Sequence, residues 1–169
     1  MFQPKHYEGS PEERYTLLLR QLDALIEDEP DLIANLANAS ALLGQFLETI
    51  NWVGFYLLND ANTLVLGPFQ GLPACTRIAY GKGVCGTAVA HQRTQRVDDV
   101  HLFPGHIACD AASRSELVIP LFRHNTLIGV LDIDSPVEAR FTETDQYYLE
   151  QFCQRLTADC AIERQEALE

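Results

Sequence analysis

The sequence predicts an α+β fold: an antiparallel sheet carries the N- and C-terminal helices on one face and leaves the other to loops and a pocket. Three observations predict it. Apolar residues recur at helical spacing near both ends of the chain. The middle consists of short aromatic and β-branched runs bounded by turn residues. Strands and helices do not alternate there as a parallel sheet requires. With 169 residues, 47% of them hydrophobic and 21% charged, residues 1–169 suit one domain with its own core; residues 1–13 carry no motif.

Ser10-Pro11-Glu12-Glu13 reads as a helix start, with Ser10 as cap, Pro11 in the first turn and Glu13 closing a capping box. Tyr15, Leu18, Leu19, Leu22, Leu25 and Ile26 then share one face. Residues 27–30 break the pattern, and a second helix buries Leu32, Ile33, Leu36, Leu43, Phe46, Leu47 and Ile50. Strands are predicted over 51–58 and 63–69 around a turn at 59–62, with a shorter strand over 75–80. Gly81-Lys82-Gly83 ends that strand, 84–92 forms a short helix, and 94–97 a further strand. Residues 98–113 show no sustained period and read as an ordered loop anchored by Phe103, Ile107 and Cys109. Such loops on a sheet scaffold are where function tends to sit. Strands over 115–122 and 127–134 flank a turn at 123–126. Thr142, with Asp145 three residues on, caps a last helix whose core stripe is Leu149, Phe152, Cys153, Leu156 and Cys160.

The formal net charge of −12 repels phosphate backbones, and no basic stripe offsets it, so nucleic-acid binding is not expected. No stretch is apolar enough to span a membrane. Residues 1–14 lack the apolar run of a signal peptide and carry Glu8, Glu12 and Glu13, so a cytoplasmic location is expected. In that reducing setting the five cysteines are reactive thiols, metal ligands or core residues, not a fixed disulfide framework.

Gly81, Gly83 and Gly86 spell G-x-G-x-x-G, but two helices precede them and the following helix is short, so the context of a dinucleotide fold is missing. The glycines instead suit a tight turn. Opening a helix, its backbone N–H groups at Gly83 and Val84 suit a small anion such as an amino-acid carboxylate. Cys153 and Cys160 fall on one face of the last helix and read as core. Cys75, Cys85 and Cys109 lie on no clean buried stripe. Cys85 begins a helix, where the dipole favours thiolate, and Cys109 follows His106, a potential base or cation. Their spacings of ten and twenty-four contain no C-x-x-C pair of the kind structural zinc uses, although His106-x-x-Cys109 offers two ligands; no metal site is expected.

Glu116, Asp132 and Asp134 form a second cluster. The two aspartates share one side of a strand otherwise made of Ile, Val and Leu, where a buried carboxylate needs a partner or ligand. The plain structural alternative is a solvated strand end beside Ser135-Pro136. Register separates the two. A two-residue turn at His124-Asn125 pairs Glu116 with Ile133 and puts it on the face opposite both aspartates. A site using all three carboxylates therefore requires an odd-length turn or a bulge, for which Pro120 is a candidate place. Trp52 and Tyr56 share a face of the first strand, either as a core pair or as the wall of an apolar-sided pocket left open at Gly54.

These residues also carry a resemblance. The stretches Asn51-Trp52-Val53-Gly54-Phe55-Tyr56, Leu66-Gly67-Pro68-Phe69-Gln70-Gly71, Gly83-Val84-Cys85-Gly86-Thr87-Ala88 and His106-Ile107-Ala108-Cys109-Asp110-Ala111-Ala112-Ser113 resemble the free methionine-(R)-sulfoxide reductases, a family of GAF fold. So do Ser115-Glu116 and Gly129-Val130-Leu131-Asp132-Ile133-Asp134-Ser135. The resemblance implies a GAF-like, six-stranded antiparallel sheet, usually in a homodimer, and reduction of free methionine-R-sulfoxide. It makes Cys109 the nucleophile, Cys75 the resolving thiol and Cys85 a second or alternative one. Glu116, Asp132 and Asp134 would hold the substrate's polar groups, Trp52 and Tyr56 would flank its methyl end, and thioredoxin would be the external reductant, with no cofactor.

The residue types fit this chemistry. A sulfoxide sulfur accepts a thiolate only if its oxygen leaves as hydroxide or water, so a proton donor must sit beside the nucleophile. Clustered carboxylates in a poorly solvated pocket raise one another's pKa, which keeps one protonated, most simply Glu116. The competing class is a GAF module that senses a small ligand without turnover; three redox-placed thiols have no use in such a module.

Overall fold

The computed structural model describes residues 7–105 and 111–158. The expectations for His106, Ile107, Cys109 and Cys160 fall outside the described residues.

Helix α1 (Pro11–Ile26) starts at the expected capping box: Glu13 N–H donates to Ser10 Oγ, and Ser10 N–H donates to the Glu13 carboxylate. Helix α2 (Leu32–Phe46) is capped by Asp31, which accepts from Ala34 N–H. Its buried face runs through Leu32, Leu36, Ala39, Leu43 and Phe46, a helical repeat that excludes Ile33, which is 51% exposed. Ile33 therefore does not belong to the stripe expected of it. Ile50 lies beyond the helix, which ends when Leu47 takes an extended backbone.

Six strands follow: β1 (Trp52–Leu58), β2 (Thr63–Gly71), β3 (Arg77–Ala79), β4 (Gln95–Val97), β5 (Ser115–Arg123) and β6 (Thr126–Ser135). Helix α3 (Gly83–His91) interrupts them, and α4 (Glu143–Ala158) closes the described chain. The sheet order is β3-β2-β1-β6-β5-β4 with every neighbouring pair antiparallel. The third strand is shorter than the 75–80 expected, because pairing with β2 stops at Arg77. The central loop contains a 3-10 turn (Val100–Leu102) that the sequence does not signal; Asp99 caps it and Val100 is fully buried. At α4, Thr142 and Asp145 exchange the bonds of a capping box, Thr142 N–H to the carboxylate (2.8 Å) and Asp145 N–H to the hydroxyl (3.2 Å).

The sheet separates two cores. Val53, Phe55, Leu117, Ile119, Leu121, Leu131 and Ile133 pack with α1, α2 and α4, and Cys153 is buried among them as a core residue. The opposite face carries Trp52, Tyr56, Val118 and Val130 under Val84, Cys85, Ala88 and Val89 of α3. The other face is thus not left to loops alone: α3 covers it. No helix among the described residues is long and apolar enough to cross a membrane.

Candidate active site

The register of β5 and β6 decides whether the three carboxylates can meet. Arg123 pairs with Thr126 across a two-residue turn, and His124 and Asn125 take φ of 45° and 65°, as the tight hairpin turn requires. Left alone, that turn would put Glu116 opposite Ile133. The ladder slips between Leu121 and Phe122: Phe122 pairs with Leu127, but Leu121 pairs with Gly129, so Ile128 is the extra residue of a bulge. Beyond it Glu116 faces Asp134 and Val118 faces Asp132, which brings all three acids to one face. The bulge falls at Ile128 and not at Pro120, which pairs regularly with Val130.

Strand β1 lies on the other side of β6, with Trp52 opposite Asp134, Gly54 opposite Asp132 and Tyr56 opposite Val130. The two sequence clusters, aromatic and acidic, are therefore side by side on one surface. Trp52 and Tyr56 stack at 5.9 Å between ring centroids, and Phe69 stacks on the other side of Trp52 at 5.3 Å. The space over Gly54 is not an opening. A Cβ there would lie 2.3 Å from Phe69 Cβ and 2.7 Å from the Trp52 ring, so the glycine is filled over by its neighbours. Phe69 is the wall residue that sequence reasoning missed; an aromatic paired across the ladder from a glycine is the signal for it. Each ring edge holds the segment after β2: Trp52 Nε1–H donates to Leu72 O (3.1 Å) and the Tyr56 hydroxyl to Cys75 O (3.0 Å).

Helix α3 completes this surface. Gly81 and Gly83 adopt φ of +72° and +61°, and a Cβ on Gly86 would lie 2.4 Å from Ala79 O, which accounts for all three glycines of the motif by backbone geometry. Lys82 occupies the N-cap without a side-chain hydrogen bond, so Gly83 and Val84 enter the first turn with no side chain capping them. Cys85, one residue on, places Sγ 3.9 Å from Glu116 Oε1. Glu116 and Asp132 are each only 6% exposed. Burial, then the neighbouring Asp132 and Asp134 charges, push the Glu116 carboxyl well above the usual range. Burial also raises Asp132 to about 6, opposed by hydrogen bonds from Cys85 and Glu116. Cys85 moves opposite to the helix-dipole expectation: full burial and then the Asp132 and Glu116 charges drive its thiol upward, so it is a neutral S–H. Cys85 is a free thiol, whereas Cys75 is disulfide-bonded.

An antiparallel six-stranded sheet with helices on both faces and an acid-and-aromatic surface under a short helix defines a GAF domain, and the family model for the GAF domain matches residues 31–158. Within it, the chain is 58% identical over 144 residues to the free methionine-R-sulfoxide reductase of Escherichia coli K12, covering 85% of this chain and 87% of that protein. It superposes on fRMsr of Staphylococcus aureus, a complex with substrate, with a TM-score of 0.84 at 52% identity, covering 93% of this chain and 100% of that one. The free methionine-R-sulfoxide reductase of Neisseria meningitidis in complex with its substrate gives a TM-score of 0.87 at 46% identity, covering 92% and 94%. The chain belongs to the free methionine-R-sulfoxide reductases of the GAF-domain family.

Proposed function

We propose that this protein reduces free L-methionine (R)-S-oxide to methionine through a sulfenic acid on Cys109 and an intramolecular disulfide with Cys75, recycled by thioredoxin. The observation that carries the reading is the buried Glu116–Asp132 pair, with the Glu116 carboxyl pushed well above its usual range by burial and by its acidic neighbours, beside a stacked aromatic wall. A sulfoxide needs that combination: a proton for the departing oxygen and an apolar flank for the methyl group.

In the reaction the Cys109 thiolate attacks sulfur while Glu116 delivers a proton to the oxygen. In the adduct the hydroxyl then passes from the substrate sulfur to the Cys109 sulfur as the bond between the two sulfurs breaks, so methionine departs and Cys109 is left as a sulfenic acid. The Cys75 thiol condenses with it and water leaves; a dithiol of the thioredoxin class then reduces the disulfide. Cys75 is favoured over Cys85 as the resolving thiol because it is the disulfide-bonded one, while Cys85 is a buried, neutral thiol against Glu116. Asp132 and Asp134 bind the substrate ammonium, and the N–H groups of Gly83 and Val84 bind its carboxylate. A peptide-bound residue lacks both charges, which makes the free amino acid the substrate. A homodimer in the cytoplasm is part of the same reading.

The test is a single-turnover assay with mass spectrometry. Cys109→Ser should release no methionine. Cys75→Ser should release one equivalent and then stall, with Cys109 trapped as the sulfenic acid. A Cys75→Ser protein that fails in the first release overturns the assignment of roles. Tight binding of the sulfoxide with no release by the wild type would favour a sensor module.

A further inference from the structure

We propose that Cys85, Glu116 and Asp132 form a binding site for a divalent cation of the zinc class. One ligand atom from each residue lies within 4.8 Å of the other two, and all three residues are buried. The 3.9 Å from Cys85 Sγ to Glu116 Oε1 is a few tenths longer than the edge of about 3.5 Å that zinc–sulfur and zinc–oxygen bonds of about 2.3 and 2.0 Å span in a tetrahedron. A small side-chain contraction closes the set.

A second observation is independent of the clustering. Asp132 is 6% exposed, and its Oδ1 is buried with no hydrogen-bond partner. A buried carboxylate oxygen without a donor is uncommon, because leaving it so costs about 1–3 kcal/mol. A cation supplies the missing partner. The donor set names the class. One thiolate with two carboxylates suits zinc and cobalt(II), whereas calcium and magnesium take oxygen alone. On binding, the Cys85 and carboxyl protons pass to the buffer, a water takes the fourth position, and the dication offsets two of the three negative charges left behind. The ligands stand on α3, β5 and β6, so the site is held by packed elements and not by a loop. It is not the set the sequence offered for metal, which drew on His106 and Cys109.

The consequence rests on the proposed reaction: a cation here occupies Glu116 and Asp132, the groups assigned to the proton and the ammonium, and excludes the amino acid. Binding itself does not rest on it. The experiment is a Co²⁺ titration of the full chain with the Cys75 disulfide intact, so that the sulfoxide cannot turn over. One equivalent should bind, with tetrahedral ligand-field bands and a thiolate-to-cobalt charge-transfer band, all displaced by Zn²⁺. Cys85→Ser should lose the charge-transfer band, and saturating methionine-R-sulfoxide should weaken Co²⁺ binding at least tenfold. X-ray absorption of the zinc-loaded wild type, which needs no variant, should show one sulfur and the rest oxygen neighbours. No stoichiometric binding, an unchanged band in Cys85→Ser, or a shell with no sulfur or with several overturns the site. Indifference of Co²⁺ to the sulfoxide overturns the exclusion, and failure of turnover in metal-free enzyme bears only on the proposed reaction.

Discussion

The helix-covered face and the α3-covered face of the sheet are built from alternate residues of the same strands, and they obey opposite rules. Toward α1, α2 and α4 the central strands present Val53, Phe55, Leu117, Ile119, Leu131 and Ile133, with no carboxylate among them. One position along, the same strands present Trp52, Tyr56, Glu116 and Asp132. Both faces exclude water, but only the first converts exclusion wholly into hydrophobic stabilisation. The second holds acids away from solvent, which opposes folding and is tolerable because the first face is complete. The lesson is a division of labour by strand parity.

The most severe way to break the comparison is to remove the bulge. Deleting Ile128 should restore an unslipped ladder and turn either Glu116 or the aspartates toward the helices. The loss should exceed about 4 kcal/mol, seen as failure to fold or as a collapsed urea midpoint. Adjacent residues then sharpen it. Leu131→Ala should cost about 3 kcal/mol at every pH, because it empties space under the helices. Asp132→Asn should remove a pH dependence instead. In the folded protein Asp132 keeps its proton up to about 6, whereas the unfolded chain releases it near 4. The folded state binds more protons between these values, so wild-type stability should fall as pH rises through that window and stay lower above it. Glu116, raised by the same burial, extends the fall to higher pH. Urea melts across pH 3.5–7.5 should show a decline on the order of 3 kcal/mol in the wild type and a flatter profile in Asp132→Asn. The variant's turnover should drop about a hundredfold. The smallest effect is expected for Gly54→Ala, where the added methyl meets Phe69 and Trp52; about 1–3 kcal/mol should be lost, with a change in Trp52 fluorescence.

The elements themselves were legible because each has a local cause. The Ser10 and Thr142 capping boxes, the period of the outer helices and the alternation of β1, β5 and β6 are written in adjacent residues. Register was legible as a condition and not as a place: three acids on one face demand a slip, yet nothing local distinguishes Ile128 from Pro120 as its seat. The acid-and-aromatic surface was readable where strand parity suffices, as in the shared face of Trp52 and Tyr56 and of Asp132 and Asp134. It was misread where third parties intervene. The dipole at Cys85 is overruled by burial and two acids on other strands, and the gap at Gly54 is closed by Phe69, a residue of the neighbouring strand.

The hydrogen bonds from Trp52 and Tyr56 to the carbonyls of Leu72 and Cys75 have a mechanical meaning. Between the end of β2 at Gly71 and the start of β3 at Arg77 the chain is held by the rims of two rings, by the Cys75 disulfide and by the Leu66 N–H bond to Thr76 O. The same rings lie on the sheet face that carries Glu116 and Asp132. A tilt of either ring therefore pulls on the stretch that carries the Cys75 sulfur, so the aromatic face and that sulfur move as one mechanical unit.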